Sequence, residues 1–257
     1  MKQFKKILAM VCVLAANFVC VEATPSSVFW TFCTTEVVPT GVGKFDADNY
    51  FTLLNKRHHG EFFNPDFGIE FGIFTWDNIS AEAGFDYLGG DDHPFFFNAK
   101  VGVLEDRFFC NSPSMSVGIF DIGTNDSGRE RTNFNIVDIV LGKTLPSYGR
   151  FYIGAFSGSK AMGKNRAGFM VAYDREFCPA VDCYGVEYYK WAFSADYASG
   201  KNTIGGGGFA LIHNFTPAIM VETGPTWFNS AKINGRWKWS VQFHIQFPVV
   251  GLGCCKT

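Results

Sequence analysis

The stretch Arg236 to Phe247, Arg-Trp-Lys-Trp-Ser-Val-Gln-Phe-His-Ile-Gln-Phe, constrains the fold more than any other part of the chain. Successive side chains of a β-strand point to opposite faces. Read that way, Trp237, Trp239, Val241, Phe243, Ile245 and Phe247 share one face, and Arg236, Lys238, Ser240, Gln242, His244 and Gln246 the other. A helix would scatter both sets around its circumference. A strand this long, apolar on one side and polar on the other, is roughly twice the usual length in a water-soluble sheet. It matches the roughly nine to eleven residues that a tilted strand needs to cross a bilayer.

The same rhythm recurs upstream. Gly41 to Leu53 sets Lys44, Asp46 and Asp48 against Phe45, Ala47 and Phe51, and Asp66 to Trp76 sets Phe67, Ile69, Phe71 and Ile73 against Glu70 and glycines. The short turn Asp77-Asn78 joins that stretch to Ile79 to Tyr87, which predicts a hairpin. Phe95 to Glu105, Ser112 to Gly123, Phe134 to Leu145, Arg150 to Lys160 and Arg166 to Asp174 continue the series more weakly, and Arg150 to Lys160 reads in either phase. Val186 to Ser199 alternates clearly. Thr203 to Asn214 carries Gly205 to Gly208, where missing side chains permit bending or the close approach of another segment. A tight turn at Asn214 to Thr216 leads into Pro217 to Phe228. The count from Gly41 is twelve strands, and an even number suits a closed barrel with no unpaired edge.

A terminal strand ending in Phe, with aromatics at alternate positions before it, resembles the closing strand of a Gram-negative outer-membrane β-barrel of the porin-like kind. The chain departs from that pattern in having Pro248 to Thr257 after the Phe. The resemblance implies an all-β fold, a transmembrane antiparallel β-barrel over residues 41–247, with outer-membrane lipid and the barrel assembly machinery as partners. Composition agrees: aromatics make up 17% of the chain, and such barrels concentrate them in girdles at both interfaces. Met1 to Ala23, with Lys2, Lys5 and Lys6 before an apolar run, has the layout of a cleaved secretory signal. Cys20 follows Asn17, Phe18 and Val19 rather than a Leu-Ala-Gly-like stretch, which argues against a lipid anchor. No later stretch is apolar for long enough to make a transmembrane helix. The net charge of −2 argues against nucleic acid. Residues 24–40 read as a periplasmic segment, an extra strand or a plug, and residues 248–257 as a periplasmic tail.

With both ends periplasmic, Cys33, Cys110, Cys178, Cys183, Cys254 and Cys255 are all expected on the periplasmic side, where disulfides persist. They are the disulfide candidates, within the barrel or to neighbouring envelope proteins. Their placement resembles the chlamydial type of envelope, in which cysteine bridges lend mechanical support. Internal loop staples are the alternative. A metal centre is not expected, since no CxxC pair and no His adjoins them.

The polar phase places Asp46, Asp48, Glu70, Glu82, Asp86, Asp138, Asp196 and Glu222 in the lumen against Lys44, Lys100, Lys190, Arg236 and Lys238, with His244. The excess of acids predicts a weak cation preference in a narrow passive channel for ions or small polar solutes. Pairing of these groups across a filled lumen is the alternative. Catalysis is not expected. The outer-membrane phospholipase, also a barrel, carries Ser and His on its outer face near the extracellular rim, whereas His244, with Ser240 four residues before it, and His213 lie towards the other end. His58, His59 and His93 fall on extracellular loops, no phosphate-cradling loop precedes a helix, and no cofactor is expected. The short loops Asn55 to Pro65, Thr124 to Thr132, Ser159 to Asn165 and Asn229 to Gly235 favour transport or scaffolding over ligand capture. A secreted β-sandwich would have to bury the Trp191 and Trp237 faces in a core, which strands this long fit poorly.

Overall fold

The computed structural model describes residues 28–53, 64–128 and 131–249. The expected leader Met1 to Ala23, His58 and His59, and the tail cysteines Cys254 and Cys255 lie outside the described residues. Twelve strands follow one another: β1 (Val42–Phe51), β2 (Asp66–Trp76), β3 (Ile79–Leu88), β4 (Phe95–Val103), β5 (Ser114–Gly123), β6 (Asn133–Leu145), β7 (Gly149–Ser157), β8 (Ala167–Val181), β9 (Glu187–Ala198), β10 (Gly206–Thr216), β11 (Ile219–Phe228) and β12 (Lys238–Pro248). Each pairs antiparallel with its sequence neighbours, and β1 pairs with β12, from Val42 opposite Pro248 to Phe51 opposite Trp239. The sheet is a closed barrel.

Alternation explains the closure. On β12, Lys238, Ser240, Gln242, His244 and Gln246 are buried within, while Val241 is exposed outside. Ala47 and Asp48, Ile69 and Glu70, and Phe243 and Gln242 divide in the same way between outer and inner faces. Outward aromatics touch from strand to strand: Phe151 meets Tyr173 (ring centroids 4.8 Å apart), Tyr173 meets Phe193 (6.3 Å), Phe193 meets Phe209 (6.3 Å) and Phe209 meets Trp227 (6.3 Å). Five consecutive strands thus carry an unbroken aromatic band on a face that has no protein against it. Such a surface is the opposite of what water selects.

Several strand boundaries differ from the sequence reading, including the end of β7 at Ser157 and the start of β10 at Gly206. β12 begins at Lys238, which leaves Arg236 and Trp237 exposed in the preceding loop. The turn between β10 and β11 falls at Pro217 and Ala218, because β10 keeps its pairing through Thr216 opposite Ile219. β8 runs on to Val181, well past its last partner on β7, Asp174 opposite Arg150. β9 likewise begins below its last β10 pair, Trp191 opposite His213. The two strands therefore project together as a hairpin from the rim where β1 begins and β12 ends, here the terminal rim; the opposite one is the distal rim.

That hairpin carries Cys178 and Cys183, and the β4–β5 connection on the same rim carries Cys110; all three are exposed free thiols. Cys33 corrects the expectation of a shared side. It is wholly buried inside the barrel, packed with Phe120, Ile136 and Met170. In a chain starting at residue 24 with Cys254 and Cys255 replaced by serine, an aqueous maleimide should modify Cys110, Cys178 and Cys183 promptly and Cys33 only on unfolding. Intact mass after brief labelling reads the result, and rapid modification of Cys33 would contradict its burial.

Candidate functional site: the lumen and its internal strap

Residues 28–40 run inside the barrel from the distal rim to the terminal rim, where the chain enters β1. Their backbone needs partners there, since no sheet supplies them. Near the distal end, one carboxylate oxygen of Asp196 accepts the backbone N–H groups of Phe29 (3.1 Å), Trp30 (2.8 Å) and Thr31 (2.6 Å). Gln242 Nε2 donates to the Phe29 carbonyl at 2.9 Å, and Trp30 Nε1 donates to the Ile204 carbonyl at 2.9 Å. Midway, Ser116 Oγ donates to the Thr34 carbonyl at 3.1 Å. Towards the terminal rim, Thr35 Oγ1 and Ser114 Oγ are 2.7 Å apart, Arg150 pairs with Glu36, and Glu82 accepts the Val38 N–H. A parallel bridge joins Thr40 to Gly72.

Two glycines make room for this strap. A Cβ at Gly208 would stand 2.6 Å from the Phe29 ring, and one at Gly72 would stand 2.0 Å from the Pro39 carbonyl oxygen. The run Gly205 to Gly208, read from sequence as a place of bending or close approach, thus includes a position where the strap lies directly on the wall.

The interior is two-sided. From β5 to β9 the inward residues are mostly apolar, and Phe120, Ile136, Val140, Tyr152, Phe156 and Met170 form a core with Val28, Phe32 and Cys33 of the strap. Phe32 stacks on Phe120 with centroids 4.2 Å apart. The charged inward groups are densest on β11, β12 and β1 to β4. Lys44 Nζ lies 3.0 Å from Asp46 Oδ1, and Lys100 Nζ lies 3.1 Å from Glu82 Oε1. His244 sits between two carboxylates, with Nδ1 facing Asp46 and Nε2 at 2.9 Å from Glu222, so each ring nitrogen has a carboxyl partner. Asp138, on β6, accepts the Gly118 N–H at 2.9 Å.

Of the residues singled out in the sequence, Lys44, Asp46, Asp48, Glu70, Glu82, Asp86, Lys100, Asp138, Asp196, Glu222, Lys238 and His244 lie on the inner phase, buried or half-buried. Lys190 shares the inner phase of β9 but is exposed on the projecting hairpin, and Arg236 is exposed in the loop before β12. Sequence reasoning passed over Glu36, Asp66, Asp121 and Arg150, and placed Gln242 on the polar phase without counting it among the lumenal groups. Arg150 was lost because its strand read in both phases. Asp66 had a signal, as the inward residue opposite Asp48 once β1 and β2 are paired. Ser240 and His244 do not meet as a catalytic pair: both ring nitrogens of His244 are taken by carboxylates, and Ser240 Oγ accepts from Gln242 Nε2 at 3.0 Å. His213 packs on the outside against Trp191, 4.2 Å between centroids.

No known family profile matches the chain, and no curated protein sequence matches it significantly. Among solved structures it is similar to the KdgM porin, with 7% identity, a TM-score of 0.48, and 80% of this chain covering 98% of that one. It is also similar to an outer membrane channel from Pseudomonas putida F1 (13% identity, TM-score 0.45, 88% of this chain and 100% of that one). A third similar structure is outer membrane phospholipase A from Escherichia coli (13% identity, TM-score 0.41, 88% and 99%).

Proposed function

We propose that the protein is an outer-membrane channel of narrow bore for ions or small polar solutes, with weak cation preference, whose lumen the strap holds closed. The observation that carries this reading is the way the strap is fixed. Apart from the apolar packing of Val28, Phe32 and Cys33, it is tied to the wall by hydrogen bonds and one ion pair, contacts that water can replace, and it is continuous with the barrel only through β1. The aromatic outer band supports placement in a bilayer, with the terminal rim periplasmic. Inward acids outnumber inward bases, which supports the cation preference.

A second reading is a structural envelope barrel with a filled lumen, linked by disulfides to periplasmic partners. The apolar core between the strap and β5 to β9 favours it, as do three exposed thiols on one rim.

Asp196→Ala separates the two. It removes the single acceptor of three backbone donors, so the distal half of the strap loses its principal anchor. In planar bilayers the refolded parent chain is expected to stay mostly closed and the Asp196→Ala chain to show discrete, slightly cation-selective steps. Insertion without current in both chains would sink the channel reading and favour the filled barrel.

A further inference from the structure

The loops of the distal rim are divided by charge. The β7–β8, β9–β10 and β11–β12 connections, residues 158–166, 199–205 and 229–237, carry Lys160, Lys164, Arg166, Lys201, Lys232 and Arg236 and no acidic residue. All six cations are exposed, and among the described residues none of them makes an ion pair. On the other half of the rim the β3–β4 connection carries Asp91 and Asp92 with no Lys or Arg. A chain whose net charge is −2 thus gathers a run of cations at one place.

The three basic loops are locked to one another. Gly163 bridges Asn202 antiparallel, the Thr203 N–H donates to the Met162 carbonyl at 3.1 Å, and Asn202 Nδ2 donates to the Asn165 carbonyl at 2.7 Å. Asn229 Nδ2 donates to the Ala198 and Gly200 carbonyls, each at 2.9 Å, and Asn234 Nδ2 to the Thr203 carbonyl at 2.7 Å. Lys164 and Lys201, the residues beside the bridge, thereby share one open cavity of about 560 Å³, whose wall also includes Asn165, Tyr197, Gly200 and Asn229. Like charges set side by side without a counter-ion are unfavourable, and an anion between them removes the penalty.

Tyr197 sets the cavity against the outer wall. It lies on the outer phase of β9, and its ring is 6.2 Å from that of outward Phe169, so the cavity adjoins the outward aromatic surface where that surface meets the rim. A ligand seated there has cations on one side and apolar surface on the other. We propose that this patch binds the phosphate groups of a phosphorylated glycolipid in the leaflet at the distal rim, with its acyl chains against the outward aromatics. Lysine meets a phosphate as a point charge on a flexible stem, and each cation held near a membrane's phosphates adds to the attraction. A free polyanion would use the cations and leave the adjoining apolar face unused. The assignment rests on the bilayer placement of the proposed channel and does not require conduction.

The test uses the refolded full chain in non-ionic detergent, with EDTA present so that no divalent cation bridges phosphates. Fluorescently labelled bisphosphorylated lipid A is expected to bind saturably by anisotropy, and the same lipid stripped of both phosphates to bind roughly tenfold more weakly. Lys164→Gln combined with Lys201→Gln should weaken binding of the phosphorylated lipid by roughly tenfold or more. Arg107→Gln, at an exposed position on the terminal rim, should leave it unchanged. Heat-modifiable electrophoretic mobility checks that each chain is folded. Equal binding of the two lipids, or an equal loss with Arg107→Gln, would overturn the proposal. Complete displacement by inorganic phosphate at the lipid's own concentration would mark a site for the free anion and overturn the glycolipid. Insertion into vesicles without phosphate-dependent binding would overturn the patch alone, whereas a chain that fails to insert would overturn the bilayer placement and the glycolipid with it.

Discussion

Gly72→Leu is expected to drive the lower strap out of the lumen and open the barrel. A Cβ at this position would stand 2.0 Å from the Pro39 carbonyl oxygen and 2.5 Å from that of Val38. Those are backbone atoms, which have no rotamer to yield, and leucine adds three further carbons in the same direction. The Gly72 backbone is held in the barrel by its pairing with Glu82, so the strap is the part that moves. Its departure removes the Val38 to Glu82 bond and the Thr40 bridge, and weakens the pair between Glu36 and Arg150. In planar bilayers the variant should pass frequent discrete steps where the parent passes few, and protease added to the folded barrel should cut near residues 36–40 only in the variant. A silent, protease-resistant Gly72→Leu barrel would show that the wall gives way before the strap does. Asp196→Ala acts at the other end, so the two variants together should open the barrel more than either alone.

The second large effect concerns stability. Lys100 and Glu82 are almost fully enclosed, with side-chain exposures of 0% and 3%. Lys100→Met keeps most of the volume but leaves the Glu82 carboxylate without its cation, and removing one partner of a buried pair typically costs about 3–5 kcal/mol. The loss should appear as a lower denaturant midpoint for unfolding in lipid vesicles, with an unchanged slope. Lys100→Met combined with Glu82→Gln should recover much of it, because a neutral amide oxygen still accepts the Val38 N–H. A single variant as stable as the parent would mean that water reaches the pair.

How far the sequence carried the fold follows from where a side chain's surroundings have two clear sides. Asp66 to Trp76 was bounded correctly because each of its neighbours faces either the outside or the lumen, and composition records the choice. The same logic failed where that contrast ends. Arg175 to Val181 projects past the barrel with most residues exposed, so β8 left no alternating trace beyond Asp174. The strap fails in the opposite way: residues of both parities are buried, Phe29, Thr31, Cys33 and Thr35 as well as Val28, Thr34, Glu36 and Val38, so no period marks it. Partners within the lumen depend on register. His244 meets Asp46 because β12 pairs with β1 at that position, and it meets Glu222 from the adjoining strand β11; neither relation has a signature in one linear sequence.

The strap also reverses the usual relation between the order in which a chain is made and the order in which it is fixed. Its residues precede every strand, yet Phe29 waits for Asp196, 167 positions later, and for Gln242, 213 positions later. Contacts that span so much chain form slowly, because the entropy of closing the loop is spent before they are gained. A nascent chain that stops before β9 therefore has no dock for its own beginning. A segment made before any strand is thus among the last to settle, and the seam between β1 and β12 closes around it.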